Sequence, residues 1–394
     1  MRCIKLLCLV VLVCAVLGLA AAGRAQSPAA YVYVSHTPKN SSVKEIEGFA
    51  AAPNGSLTPL PGSPYTADVT SMAVNGRYLF GTNANGVDID SYRIAPNGAL
   101  SLWAQTDVAG FNPQDCGISG SLVLDHTGAT LYDLDYRDNS CANNDYRSLS
   151  VVKSNGGLTN LGTTEGNDWL TGPLTFLGNN QYAYTASCLG NMYWGIWGYQ
   201  RTSNGLLTDL TSFSAATLKA PSGEFYCPSQ AAADPTNHVA ISMQAVDGGS
   251  FGSAGPPQIA IYTAASNGNL TTTSTSANMP ATDVVNVTDL SMSPSGKLLA
   301  VSGTGGLQIF HFNGASPATE FTGLLTNVEI DQMFWDNQNH LYAISKPAGE
   351  LFVFTVTPTS VSQTPGSPHA IVSPQNVIVQ PPPVWLRGRV VAAR

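Results

Sequence analysis

Apolar and polar residues alternate in short bursts along most of this chain, and turns of Asn, Asp, Gly and Pro separate the bursts. AYVYVS (30–35), GRYLFGT (76–82), GATLYDL (128–134), NQYAYTA (180–186), NHVAISM (237–243), GKLLAVS (296–302) and NHLYAIS (339–345) read as β-strands, mostly with the period of two that a half-buried strand requires. A second phrase, strand–turn–strand, follows each of them. Its clear copies are FAAAPNGSL (49–57), YRIAPNGAL (92–100), VVKSNGGL (151–158), YQRTSNGLL (199–207) and YTAASNGNL (262–270). FHFNGASPA (310–318) and FTVTPTSVS (354–362) are degenerate copies. Before most of the first set stands a further apolar segment, such as TSMAV (70–74) or SLVLD (121–125).

The repeating unit is therefore four antiparallel strands, A to D, with hairpin turns at A–B and C–D. Such a sheet cannot bury both faces alone, whereas sheets set radially around an axis bury face against face. Seven units predict an all-β fold, a seven-bladed β-propeller over residues 26–380. The chain enters at a B strand, AYVYVS, and leaves at an A strand, NVIVQ (376–380). The last strand is thus expected to pair into the first blade and close the ring.

The two ends fall outside the repeat. Arg2 and Lys5 precede an apolar run from Leu6 to Ala22, and small residues around Ala25 suit cleavage, so residues 1–25 read as a signal peptide. The chain is expected to be exported, to a bacterial periplasm or the medium. No later stretch is long and apolar enough to span a membrane. Residues 381–394, PPPVWLRGRVVAAR, read as a loose basic tail. Losing Arg2, Lys5 and Arg24 with the leader leaves 14 basic residues against 25 acidic, a net charge of about −11. That excludes nucleic acid as a natural partner. Nothing in the sequence requires an oligomer, so a monomer is expected.

The opening YVYVS, the PNGxL turns and the SPSGKLLAVS phrase resemble the lactonase-type seven-bladed propellers, which include the propeller kind of bacterial 6-phosphogluconolactonase, and the related YVTN-type repeats. The resemblance covers residues 29–380 and implies the propeller fold and, as one activity, lactone hydrolysis at the central channel. Catalytic-looking members carry His and Arg near the start of A strands. Here those segments read VTSMAV, GISGSLVL, LTGPLTF, PSQAAAD, VTDLSMS and IDQMFWD, without His, Arg or Lys. No catalytic residue is carried over.

Loop lengths point elsewhere. The A–B and C–D turns are short and share one face. The B–C and D–A connections share the other, and 107–117, 137–146, 188–193, 214–227 and 245–256 are long. Long loops on a rigid scaffold are where binding tends to sit. Four cysteines beyond the leader, Cys116, Cys141, Cys188 and Cys227, fall on this face; they allow three connectivities, and the neighbouring pairs 116–141 and 188–227 are expected. Tyr136, Tyr146, Trp169, Tyr193, Trp194, Phe225 and Tyr226, with Asp115 and Asp168, form the candidate ligand site there, suited to stacking on a small molecule, glycan or peptide, unless they merely fill space between blades. Asp68, Asp283, Asp289 and Asp331 lie at or before A strands and are the acidic candidates for the channel. Converging carboxylates would hold a proton or a cation, and calcium is the one metal considered; no other cofactor is indicated. The favoured function is a binding or interaction module acting through blades 3–5; the alternative is a lactone hydrolase at the channel mouth.

Overall fold

The structure is a computed structural model, and it describes residues 27–108, 119–135, 145–165, 172–189, 193–210, 212–250 and 252–381. Seven antiparallel sheets each run A–B–C–D from the axis outward. Among the described residues there is no helix, so none is long and apolar enough to cross a membrane. Blade 2 shows the unit in full: Val69–Val74, Tyr78–Asn83, Asp88–Ile94 and Leu100–Asp107. The ring closes as expected. Pro374–Gln380 pairs antiparallel with Ala30–His36, with Val34 opposite Val377 and Val32 opposite Val379, so the last strand is strand A of blade 1.

The PNGxL phrase is legible as chemistry. In blade 2, Ala95 N donates to Ala99 O and Gly98 N to Ala95 O, each at 2.9 Å, and Asn97 Oδ1 accepts from Ala99 N at 3.3 Å. Gly98 takes φ +83°, a left-handed conformation in which a Cβ is penalised. Gly55, Gly156, Gly205 and Gly268 repeat this at the C–D turns of blades 1, 3, 4 and 5.

These turns also hold the blades to one another. The B-strand tyrosines of one blade reach the C–D turn of the next: Tyr33 Oη donates to Gly98 O at 2.8 Å, Tyr132 to Gly205 O at 2.7 Å and Tyr184 to Gly268 O at 2.8 Å. Ser91 does the same from strand C, donating to Gly156 O at 2.7 Å. The first B-strand residues lie against the same glycines. Tyr31 packs on Gly98, Tyr78 on Gly156, Thr130 on Gly205, Tyr182 on Gly268, His238 on Gly314 and His340 on Gly55. A phrase that reads as a local hairpin is thus also the contact surface between neighbouring blades.

The A–B turns are tied by acidic caps. Asp125 Oδ1 accepts from Ala129 N at 3.1 Å, Asp234 Oδ1 from His238 N at 2.9 Å and Asp336 Oδ1 from His340 N at 2.8 Å. In blades 5 and 7 the second carboxylate oxygen meets the histidine ring, His238 Nδ1 at 2.9 Å and His340 Nδ1 at 2.7 Å. Burial works against the Asp234 charge, but the hydrogen bonds from Thr236 and His238 outweigh it and hold the carboxyl below the usual range. These histidines therefore have a structural task on the plain face.

Candidate functional site

The structure brings together only part of what the sequence nominated. Asp115, Cys116, Tyr136, Cys141, Asp168, Trp169, the leader and the tail beyond Pro381 lie outside the described residues. Tyr193 and Trp194 open strand C of blade 4, Tyr193–Arg201, and are described in backbone only. Tyr146 is corrected. Strand C of blade 3 begins at Asp145, which turns Tyr146 inward; it is 2 % exposed, packs edge-on against Tyr199 at 5.2 Å and donates to Gly172 O at 2.8 Å. It is core and does not face a ligand. Phe225, Tyr226 and Cys227 belong to strand A of blade 5, Glu224–Ala233, rather than to a loop.

Phe225 and Tyr226 do border a cavity. It holds about 600 Å³ between blades 4 and 5, toward the loop-rich face. Ile196 and Trp197 from strand C of blade 4 form one wall, Phe225, Tyr226 and Pro228 another, and Met243 and Tyr262 of blade 5 line it too. The connection after strand D of blade 4 contributes Phe213 and residues 215–218. That strand D is only Leu207–Asp209, against eight residues in blade 2, and the connection that follows hydrogen-bonds along strand D of blade 5, with Leu270 N donating to Ser214 O and Ala216 N to Leu270 O, both at 2.9 Å. The connection thus runs across the space between the two blades and covers it.

Two local features fix the walls. Gly198 has no side chain where Phe213 lies; a Cβ there would sit 2.5 Å from the Phe213 ring. The ring packs at 6.0 Å from Tyr184 instead. The Cys188–Cys227 disulfide, the expected one of the two pairs that lies within the described residues, joins strand B of blade 4 to strand A of blade 5. Cys227 stands between Tyr226 and Pro228, so the bond ties one cavity wall to the neighbouring blade. Closing 39 residues of chain contributes about 4 kcal/mol. Cys227→Ser should lower unfolding stability by that amount in oxidising buffer and leave it unchanged in reductant. Equal stability of the two proteins in oxidising buffer would show that the bond contributes nothing.

The axial channel is a second cavity of about 600 Å³, bordered by the A strands. Its polar rim includes Gln230, Asp289, Asp331, Gln332 and Asn376, and His126 is its basic residue among those described. Two of the four nominated carboxylates are here and two are not. Asp68 pairs with Lys44 Nζ at 3.6 Å, and Asp283 N donates to Gln308 Oε1 at 2.9 Å. Asp331 is tied at its own strand, accepting from Lys346 N at 2.7 Å. Among the described residues no three His, Cys, Asp or Glu side chains converge closely enough to hold a metal ion.

Asp289 is different in kind. Its Oδ2 accepts from Met333 N of blade 7 at 2.8 Å, and no Lys, Arg or His among the described residues forms an ion pair with it. Partial burial among the A strands pushes its carboxyl up to about 7, against hydrogen bonds from Met333 and Leu290 that favour the charge. Sequence reasoning nominated the residue but had no means to find this upward shift.

No protein-family model matches the sequence, and neither does any curated protein. Solved structures do match. A proposed 6-phosphogluconolactonase from Bacteroides uniformis superimposes with a TM-score of 0.64 at 14 % identity, over 90 % of this chain and 100 % of that one. The periplasmic gluconolactonase of Pseudomonas aeruginosa gives 0.61 at 16 % identity, over 90 % and 99 %. A hypothetical selenium-binding protein from Sulfolobus tokodaii gives 0.57 at 11 %, over 90 % and 93 %. The chain therefore has the lactonase-like seven-bladed fold. Three such names on one architecture show why the fold alone does not assign an activity.

Proposed function

We propose that the protein is an exported small-molecule-binding propeller whose binding element is the loop-rich face, with the ligand held in the cavity between blades 4 and 5. The observation that carries this is the cavity itself: aromatic and apolar walls of ligand-sized volume, on a rigid scaffold, with one wall fixed by a disulfide. The leader pattern and the disulfide support export, since such bonds persist in oxidising compartments. A thermal-shift screen tests the site. Ligands that raise the melting temperature of the wild type should lose that effect in Trp197→Ala, which removes the largest ring of one cavity wall. Stabilisation that survives Trp197→Ala and vanishes in Asp289→Asn would place the ligand in the channel.

Asp289 favours a second reading, lactone hydrolysis in the axial channel. A carboxylate that titrates near neutrality is matched to take a proton from water as it attacks a lactone carbonyl; the ring C–O bond then breaks and the ring oxygen leaves with a proton. The channel rim has no described Lys or Arg to receive a phosphate, so an uncharged lactone suits it better than a phosphorylated one. Under this reading turnover rises with pH through about 7 and is lost in Asp289→Asn. Turnover that persists in that variant removes the residue from the chemistry.

The same group makes a prediction that holds under either reading. Its folded value, about 7, lies above the unfolded carboxylate value, so the folded state binds the extra proton. Stability should therefore fall as pH rises between roughly 4 and 7 and then level off. Asp289→Asn, which keeps an acceptor for Met333 N, should remove this fall and be the more stable protein at pH 8. Parallel stability curves for the two proteins from pH 5 to pH 8 would refute the assignment.

A further inference from the structure

Resting on the reading of the blade 4–5 cavity as a ligand site, we infer that its ligand is a hydrophobic organic cation, of the substituted-ammonium or cationic heteroaromatic class. The polar groups decide this. Trp197, Phe213, Phe225, Tyr226 and Tyr262 supply five aromatic rings, and Glu224 supplies the single charged side chain among the described lining residues. Both tyrosine hydroxyls are committed: Tyr226 donates to Gln258 Oε1 at 3.1 Å and Tyr262 to Ala216 O at 3.2 Å. What the described side chains leave for a ligand is ring surface, the Thr217 hydroxyl and one carboxylate.

That set fits a cation and little else of its size. An aromatic face attracts a cation through its quadrupole, and the attraction grows when water is excluded. Glu224 supplies the counter-charge. Glu224 and Tyr226 stand two residues apart on one strand, so both line the same wall, and the Tyr226 phenol is pushed up first by burial and then by the Glu224 charge. A sugar would bring a hydroxyl on almost every carbon, and beyond Glu224 and Thr217 the described side chains have nothing free to pair with them. An anion would meet Glu224 with no Lys, Arg or His in compensation, on a chain of net charge −8. A volume near 600 Å³ admits a molecule of two or three rings.

Three dyes test the class by fluorescence titration of the purified protein. They are cationic thioflavin T, its uncharged benzothiazole counterpart lacking the ring N-methyl group, and anionic anilinonaphthalene sulfonate. Thioflavin T should bind about tenfold more tightly than the uncharged dye, and the sulfonate most weakly. Glu224→Gln should bring the first two within about twofold of each other, and Trp197→Ala should weaken both, with far-ultraviolet circular dichroism confirming the fold of each variant. Equal affinities for the three dyes, with no effect of Glu224→Gln, would overturn the cation inference and leave the site standing. Binding by none of them, or binding that Trp197→Ala does not change, would overturn the site as well.

Discussion

Gly98→Ala should cost about 2–5 kcal/mol of unfolding free energy, although it adds only one methyl group at a turn. Two penalties combine. At φ +83° an alanine pays about 1–2 kcal/mol for its Cβ. That Cβ would also sit 2.6 and 2.8 Å from the Tyr31 ring and 2.9 Å from a Leu60 methyl carbon, and overpacking of this kind costs about 1–3 kcal/mol more. The shift also disturbs the bonds by which Tyr31 and Tyr33 hold blade 1 to blade 2, at 2.6 and 2.8 Å. Gly223→Ala is the control. Its φ is +87° and nothing lies within 4 Å of its added Cβ, so only the backbone penalty of about 1–2 kcal/mol applies. Urea unfolding of the two variants separates the contributions. Equal losses would show that the tyrosine contact between blades adds nothing.

Arg147→Met should be comparably severe, at about 3–5 kcal/mol. Arg147 lies on strand C of blade 3 and Asp133 on strand B; their side chains are fully buried and paired at 3.5 Å. Arg147 Nη1 also donates to Val108 O at 3.2 Å, at the end of blade 2, so the guanidinium links two blades as well as two strands. Removing it takes the Arg147 counter-charge from the buried Asp133 carboxylate, to which Gly120 N donates at 3.3 Å, and breaking one side of a buried ion pair is costly. The double variant Arg147→Met, Asp133→Leu removes both charges and should recover much of the loss. A double variant no more stable than the single one would mean that the pair contributes more than mutual neutralisation. Chemical denaturation of wild type, single and double variants gives the comparison.

Most of the architecture was legible because its determinants are local. An Asn that caps the residue two places on, followed by a left-handed Gly, specifies a C–D turn within five residues, and several repeats of it specify a ring. Even the closing strand followed from counting, since a chain that starts on B and ends on A has one way to complete its blade. The site was less legible because its residues come from separate elements. Trp197, Phe213, Met243 and Tyr262 each sit in a stretch that reads as ordinary core or loop. The glycine at 198, opposite Phe213, is the local hint at a space. Tyr146 was misplaced by a boundary of one or two residues: strand C starts at Asp145, and its residues are buried on both faces from there on, so a ring read as part of a loop is core. The protonation of Asp289 depends on burial among A strands of other blades, which spacing cannot express.

The central claim is that ligand recognition resides between blades 4 and 5 and not on the axis. Calorimetric titration of one ligand, thioflavin T, into wild type, Trp197→Ala and Asp289→Asn tests it most directly. A loss of tenfold or more in affinity for Trp197→Ala, with Asp289→Asn within twofold of wild type, is the expected result. Loss in Asp289→Asn with Trp197→Ala unchanged would contradict it and move recognition to the channel.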